Sequence, residues 1–222
     1  MRSAKRIVRR LPETILAREP VDGTLPGFNF TQHMRRLCVD LVSRVPQLRH
    51  IDMDRVVISY SQARKAVRHG LQASLTPLRF EGGGLITRKR GRTWTIQRIY
   101  GSAGQEMLYL LSFCLPRFLQ GGEREKLTTI LHELWHIGPA FDGDLRRHPG
   151  RCYVHSHSQK KYDAEMDVLA EQWLAAGPPP DLFELLKHSF SQLSRRHGSV
   201  YGLRVSVPKL LPIEADDLQA AS

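Results

Sequence analysis

Residues 123–136 read EREKLTTILHELWH, which is the most informative segment of the chain. Its apolar residues recur at helical spacing, which predicts a largely buried helix that begins with acidic residues and stops near Gly138. The last five residues form an HExxH motif, in which His132 and His136 lie on one helix face, one turn apart. Because unpaired polar groups on a buried helix are costly, these side chains need a partner.

A divalent metal ion is the partner that this spacing favours. Two imidazoles on one helix face bind a single zinc ion, Zn2+, and Glu133 directly follows the first of them. Its carboxylate then lies near a water molecule on the metal and can accept a proton from it. We therefore predict that His132 and His136 are zinc ligands and that Glu133 is the general base of a hydrolase.

The third zinc ligand is predicted downstream of the motif, because catalytic zinc usually takes three protein ligands and keeps one open position. His148 is the preferred candidate, since the turn-forming residues between it and the motif let the chain fold back. Three other side chains are alternatives: His157, His155 and Glu165. Those that are not ligands are expected to be surface histidines or a solvated carboxylate.

Five further polar residues near the motif each have two interpretations. Asp142, Asp144 and Asp167 are either acceptors for the N–H groups of the ligands or ordinary turn and helix-surface residues. Tyr162 and Arg146 are candidates to stabilise an oxyanion, and a structural role is the alternative for both.

The motif and the residues after it resemble a known family. Residues 132–137 read HELWHI, and residues 141–148 read FDGDLRRH. They are similar to the phage metallopeptidase family, which joins a HELxHI helix to an FDGxLRxH-like stretch, and the likeness covers residues 54–157 best. More distantly, the chain resembles SprT-like zinc peptidases. The resemblance implies that His132, His136 and His148 are the metal ligands and that Glu133 is the base.

Composition narrows the class of protein. The chain has 222 residues, 41% of them hydrophobic, which suffices for one core. No apolar run reaches the roughly 18 residues of a membrane span, and no apolar segment follows the basic start, so neither an anchor nor a secretory signal is predicted. The separated cysteines Cys38, Cys114 and Cys152 favour a reducing, cytoplasmic location. Cys152 is either a loop residue or a metal contact.

The net charge of +11 predicts attraction to polyanions such as nucleic acid. Basic clusters at residues 2–10, 88–92 and 195–197 are interpreted either as a solubilising surface or as a nonspecific nucleic-acid surface. The chain is expected to bind a protein or peptide substrate, and it is not expected to bind a membrane. Two alternatives stay open: a nucleic-acid-associated protein with a closed, structural zinc site, and a peptidase acting on nucleic-acid-bound proteins. The oligomeric state stays open too.

The order of elements predicts an α+β fold of the zincin-like type, with a small mixed or antiparallel sheet packed on the active-site helix. Residues 1–30 are predicted to be a basic, loosely ordered arm. Residues 31–177 are predicted to form the zincin-like metallopeptidase domain. Residues 178–222 are predicted to form a C-terminal helix and strand that pack on the same domain.

Local patterns predict the individual elements. Helices are predicted at residues 31–45, 161–175 and 181–196. Strands are predicted at residues 55–60, 75–80, 93–100, 107–113 and 200–207. The strands at 93–100 and 107–113 are predicted to pair, and residues 81–92 to form a loop or hairpin tip. Strand 107–113 is either the edge strand that holds a peptide, as the resemblance implies, or a core strand.

Overall fold

A computed structural model describes residues 14–17, 26–63, 70–147 and 159–213. In the last of these segments, it describes the side chains from residue 163 onward. Over these residues the fold is mixed α+β with small sheets. None of the helices in this part of the chain has the length and apolar character needed to cross a membrane.

Most of the strands precede most of the helices along the chain. The helices are α1 (Phe30–Arg44), α2 (Arg117–Gln120), α3 (Glu123–Trp135), α4 (Gln159–Ala175), α5 (Phe183–Lys187) and α6 (Phe190–His197). The strands are β1 (Ile15–Leu16), β2 (Phe28–Asn29), β3 (Val56–Gln62), β4 (Ala73–Pro77), β5 (Ile86–Lys89), β6 (Arg92–Ile96), β7 (Ile99–Tyr100), β8 (Tyr109–Leu115), β9 (Val200–Tyr201) and β10 (Leu210–Ile213).

The central sheet has three strands in the order β3-β8-β4 and is mixed. β8 runs parallel to β3 and antiparallel to β4, and almost all of its residues are buried. A continuous apolar run of this kind suits a strand covered on both faces. The core-strand interpretation of residues 107–113 is therefore confirmed, and the edge-strand interpretation is wrong. The edge strand beside α3 is β4 instead.

The predicted pairing of residues 93–100 with 107–113 is wrong over most of its length. Only their ends meet, where the Met107 N–H donates to the Ile99 carbonyl at 2.9 Å. β6 pairs instead with β5 and β10, in a separate three-stranded sheet. The alternating pattern predicts that a segment is a strand, but it does not specify which distant strand is its partner.

Two short parallel ladders bring segments from the predicted arm onto the folded domain. β1 pairs with β7, and β2 pairs with β9. Phe28 in β2 is only 1% exposed. At these positions the chain is β-paired and not loose. The strand predicted at residues 200–207 is limited to Val200–Tyr201.

The helices follow the apolar periodicity closely, with one exception. α1 and α4 match the predictions for residues 31–45 and 161–175, and the Asn29 side chain caps α1 by accepting from the Gln32 N–H. The helix predicted at residues 181–196 is broken into α5 and α6. The break occurs because His188 is extended and Ser189 begins a new helix as its N-cap.

One hydrophobic core joins most of these elements. It includes side chains of α1, β3, β8, α3 and α4, together with Leu182, Leu185, Leu186 and Leu193 from the C-terminal part. Those four leucines place residues 182–193 on the same core as α3, the helix that carries the HExxH motif. Cys38 and Cys114 are free thiols, and burial raises the pKa of Cys38 to about 12; Cys152 lies outside the described residues.

Candidate active site

The HExxH motif lies at the C-terminal end of α3. All five apolar side chains predicted to face the core are buried: Leu127, Ile130, Leu131, Leu134 and Ile137. The helix ends at Trp135, and His136 is its C-cap with helical φ and ψ, so the chain leaves the helix directly after the motif and not one turn later. His136 therefore keeps the helical position relative to His132 that the motif requires.

The two histidine rings lie side by side on the helix surface. The ring centroids of His132 and His136 are 4.5 Å apart, and the ring planes meet at 86°. Both residues are half-buried, so their rings are supported by the protein and still reach solvent. Two imidazoles this close provide two nitrogen ligands for one metal ion.

Glu133 is a carboxylate held in an apolar environment. It is 8% exposed, and its carboxylate accepts a hydrogen bond from the Leu75 N–H of β4. Burial raises the pKa of Glu133 to about 7, and the hydrogen bond from Leu75 acts in the opposite direction. A carboxyl group with a pKa near neutrality is suited to exchanging protons.

The register of β4 explains why the Leu75 N–H faces the helix. Cys114 donates to the Gln72 carbonyl and Leu78 donates to the Leu108 carbonyl, so even-numbered residues of this segment bond to β8. Odd-numbered residues point their backbone groups away from the sheet. The edge of β4 at Leu75 therefore turns its amide toward α3.

A cleft of about 510 Å3 opens between α3, α4 and the segment that leads into β4. His132 and Glu133 form part of its wall. The remaining lining residues are Gly70, Leu71, Gln72, Ala73, Thr128, Thr129, Asp163, Met166 and Asp167. Of β4, only its first residue, Ala73, lines the cleft.

Asp163 is a cleft residue that the sequence reasoning missed. It projects from the first part of α4 and lines the cleft together with His132 and Glu133. Its i, i+3, i+4 spacing to Met166 and Asp167 marks one face of a helix. That spacing groups the three residues, but it does not indicate that the face turns toward α3.

The candidates for the third metal ligand differ in where they lie. His148, His155 and His157 are outside the described residues. Glu165 is exposed on α4 and is absent from the cleft wall. Among the described residues, no His, Cys, Asp or Glu completes a group of three with His132 and His136.

The turn that follows the motif is held by its own polar groups. The Asp144 carboxylate accepts from the Leu145 N–H at 2.9 Å, from the Gly82 N–H at 3.2 Å and from Arg147 at 2.8 Å. These contacts hold the pKa of Asp144 below its usual value. Asp142 accepts from the Asp144 N–H at 3.1 Å. Asp142 and Asp144 therefore make the contacts expected of ordinary turn residues.

The other three polar residues are placed as follows. Asp167 pairs with Arg124 at 2.9 Å, as a helix-surface residue does, although it also lines the cleft. The Arg146 guanidinium lies 4.0 Å from the Trp135 ring centroid and donates to the Trp135 carbonyl at 2.7 Å. Arg146 thus ties the turn to the end of α3. The Tyr162 side chain is outside the described part of the chain.

Comparison of the chain with protein-family models, curated proteins and solved structures finds no match. The features of the molecule that bear on function are therefore the geometry of the motif, the edge strand and the cleft.

Proposed function

We propose that the chain is a zinc-dependent metallopeptidase of zincin-like type, in which His132, His136 and His148 hold the metal. The observation that carries the proposal is the pair of imidazoles 4.5 Å apart, with the buried Glu133 carboxylate between them in sequence. Two nitrogen donors of this spacing fit the preference of zinc for imidazole, and a third donor from the following segment would complete a catalytic set. When bound, zinc supplies Lewis acidity and lowers the pKa of water.

Glu133 is the proton carrier of the proposed reaction. Its carboxylate accepts a proton as water attacks the scissile carbonyl, and it later delivers that proton to the leaving amine. The hydrogen bond from the Leu75 N–H fixes the carboxylate at the edge of β4. The base is therefore positioned by a strand that also borders the cleft.

The proposed substrate is an extended peptide laid along the free edge of β4. The backbone groups of Ala73 and Leu75 point away from β8, toward the side where α3 lies. An extended peptide would bind this edge by main-chain hydrogen bonds to the Ala73 N–H and to the outward carbonyls of Ala73 and Leu75, with little dependence on side-chain identity, because Glu133 already occupies the Leu75 N–H. Leu71 is 60% exposed and provides an apolar contact at the cleft wall.

Metal content and hydrolysis together test the proposal. Tag-free wild type, His148→Ala and His157→Ala would be compared by mass spectrometry after zinc reconstitution. We expect one zinc per chain that is lost in His148→Ala and kept in His157→Ala. No zinc in the wild type contradicts the proposal, and loss in His157→Ala alone reassigns the third ligand.

Glu133→Gln separates metal binding from catalysis. Because the amide cannot carry the proton, hydrolysis of a fluorogenic peptide mixture should fall by about 10²–10⁴-fold while zinc stays bound. Glu123→Gln on the exposed first turn of α3 is the matched control and should keep full activity. Bound zinc without hydrolysis by the wild type would favour a structural zinc site.

A further inference from the structure

The β5–β6 hairpin carries the densest positive charge among the described residues. Arg88, Lys89, Arg90 and Arg92 lie within five positions, and all four are exposed. Arg90 and Gly91 form the two-residue turn, with φ values of 52° and 73°. Positive φ at both positions is the turn geometry that matches the twist of paired strands, so the tip is a regular, narrow ribbon.

The register of the hairpin places like charges directly opposite each other. Lys89 pairs with Arg92 across the ladder, and their side chains therefore share one face. Like charges directly opposite destabilise a strand pair. Within the described residues, no carboxylate forms an ion pair with any of the four cations. An external anion bound at this pair would offset the cost of the arrangement.

The other described basic cluster, at residues 195–197, is different, because part of its charge is already engaged. Arg196 lies 3.4 Å and His197 lies 3.5 Å from the carboxylate of Glu184. Glu184 thus neutralises part of the cluster at residues 195–197. The cluster at residues 2–10 lies outside the described residues. Of the basic segments that the structure describes, the hairpin has the largest uncompensated charge.

An aromatic side chain accompanies the cations on the same face. Trp94 pairs with Thr87 across the ladder, and alternation places it on the face of Lys89 and Arg92. Its Nε1–H donates to the Lys89 carbonyl at 3.4 Å, which holds the partly exposed indole next to the charged pair. Cations with an adjacent aromatic ring match phosphates with adjacent sugars and bases.

Nucleic acid fits this surface better than an anionic membrane does. The exposed apolar side chains Leu85 and Ile86 lie at the base of the hairpin, away from its tip. A membrane-binding hairpin would need its apolar residues at the tip to enter the lipid. A two-stranded ribbon also fits the major groove of B-DNA, which is about 12 Å wide.

The hairpin is anchored to the turn that follows the motif helix. The Gly82 N–H at its base donates to the Asp144 carboxylate at 3.2 Å, and Glu81 lies 3.3 Å from Arg147.

We infer that the tip formed by residues 88–92 binds the phosphate backbone of duplex nucleic acid without sequence preference. This inference does not depend on zinc or on peptidase activity.

Salt-dependent binding of a labelled DNA duplex tests the inference on the full-length chain. The test variant is Arg88→Gln, Lys89→Gln and Arg92→Gln combined, which leaves the Arg90-Gly91 turn intact. Its matched control removes three exposed cations that lie outside the basic clusters: Arg49→Gln, Lys187→Gln and Arg204→Gln. Both variants have the same net charge, so a difference between them reports on position and not on total charge.

For the wild type, the logarithm of the affinity should fall linearly with the logarithm of the salt concentration. Loss of three phosphate contacts should reduce that slope by about 2 to 3 in the hairpin variant and leave it nearly unchanged in the control. Equal slopes for the two variants would overturn the inference. So would wild-type binding to phosphatidylserine vesicles with no binding to the duplex.

Discussion

Lys126 is a charged side chain on the buried face of α3. It is 1% exposed, and its Nζ donates to the carbonyls of Leu186 at 2.9 Å and His188 at 2.8 Å. These carbonyls lie at the end of α5, so a single ammonium group joins the C-terminal part of the chain to α3. Burial lowers the pKa of Lys126 to about 8, although Glu123 and Glu125 act in the opposite direction.

The low pKa of Lys126 predicts a specific dependence of stability on pH. The native chain releases this proton near pH 8, whereas the unfolded chain holds it up to about 10.5. Between these values the unfolded state binds more protons, so the free energy of unfolding should gain a contribution that increases with pH. Urea unfolding of the wild type and of Lys126→Met across this pH range measures that contribution. It equals the difference between the two proteins in the slope of the free energy of unfolding against pH.

Lys126→Met should be less stable than the wild type by about 1–3 kcal/mol at neutral pH, because two buried carbonyls lose their donor. This difference should widen as the pH rises, since only the wild type gains from releasing the proton. Parallel pH profiles for the two proteins would show that Lys126 keeps an ordinary pKa in the native state.

At the candidate site, the sequence predicted the side chains that are close along the chain. The i, i+4 rule follows from helix geometry alone, so it is sufficient to bring His132 and His136 together. Leu75 and Asp163 were missed because they come from a strand and a helix whose approach to α3 depends on long-range packing. The ligand role of His148 stays a prediction.

Trp173 is the side chain through which α4 packs on α1. It is fully buried, its Nε1–H donates to Asp40 of α1 at 2.8 Å, and its ring centroid lies 5.3 Å from that of Phe183. Asp40 also pairs with Arg44 at 2.8 Å. The position of α4, and with it the far wall of the cleft, therefore depends on this contact.

Trp173→Phe should lower the free energy of unfolding by about 1–3 kcal/mol, because the ring stays packed while Asp40 loses a donor. Trp173→Ala should cost about 3–5 kcal/mol through loss of packing. Leu174→Ala, at the adjacent exposed position on α4, is the control and should change stability by less than about 0.5 kcal/mol. Equal losses for Trp173→Ala and Leu174→Ala in urea unfolding would contradict the packing argument.

Helices were predicted more accurately than strand partners, and the reason is the range of the interactions. The caps and apolar faces of α1 and α3 are set within a few residues of each element. The partners of β8 are β3 and β4, whose pairings cross the whole β5–β6 hairpin in sequence. No local sequence pattern specifies which strands pair with β8. The pairing of residues 93–100 with 107–113 was therefore predicted from proximity in sequence.

At the scale of the molecule, the shared core predicts one cooperative unfolding transition. Leu186 is fully buried in the core that also holds α1, β8 and α3. Leu186→Ala should therefore lower the stability of the whole domain by about 2–5 kcal/mol and shift far-UV and near-UV signals together. Leu210→Ala, at a residue 56% exposed in β10, should leave both signals nearly unchanged.

A separate unfolding step in Leu186→Ala, with the main transition unaltered, would show that the C-terminal part forms its own unit. The prediction that residues 178–222 pack on the same domain would then fail for the segment that contains α5.

The edge of β4, which has no further strand beside it in the described sheet, affects how the molecule behaves at high concentration. Of its three outward-facing positions, Pro77 has no N–H, and the Leu75 N–H is already bonded to Glu133. Of the three, only Ala73 has an outward N–H that is neither missing nor bonded to Glu133. The remaining donor and the outward carbonyls suffice for a short peptide contact, but they do not form the unbroken ladder of hydrogen bonds by which copies of the chain would extend the sheet into a cross-β fibril.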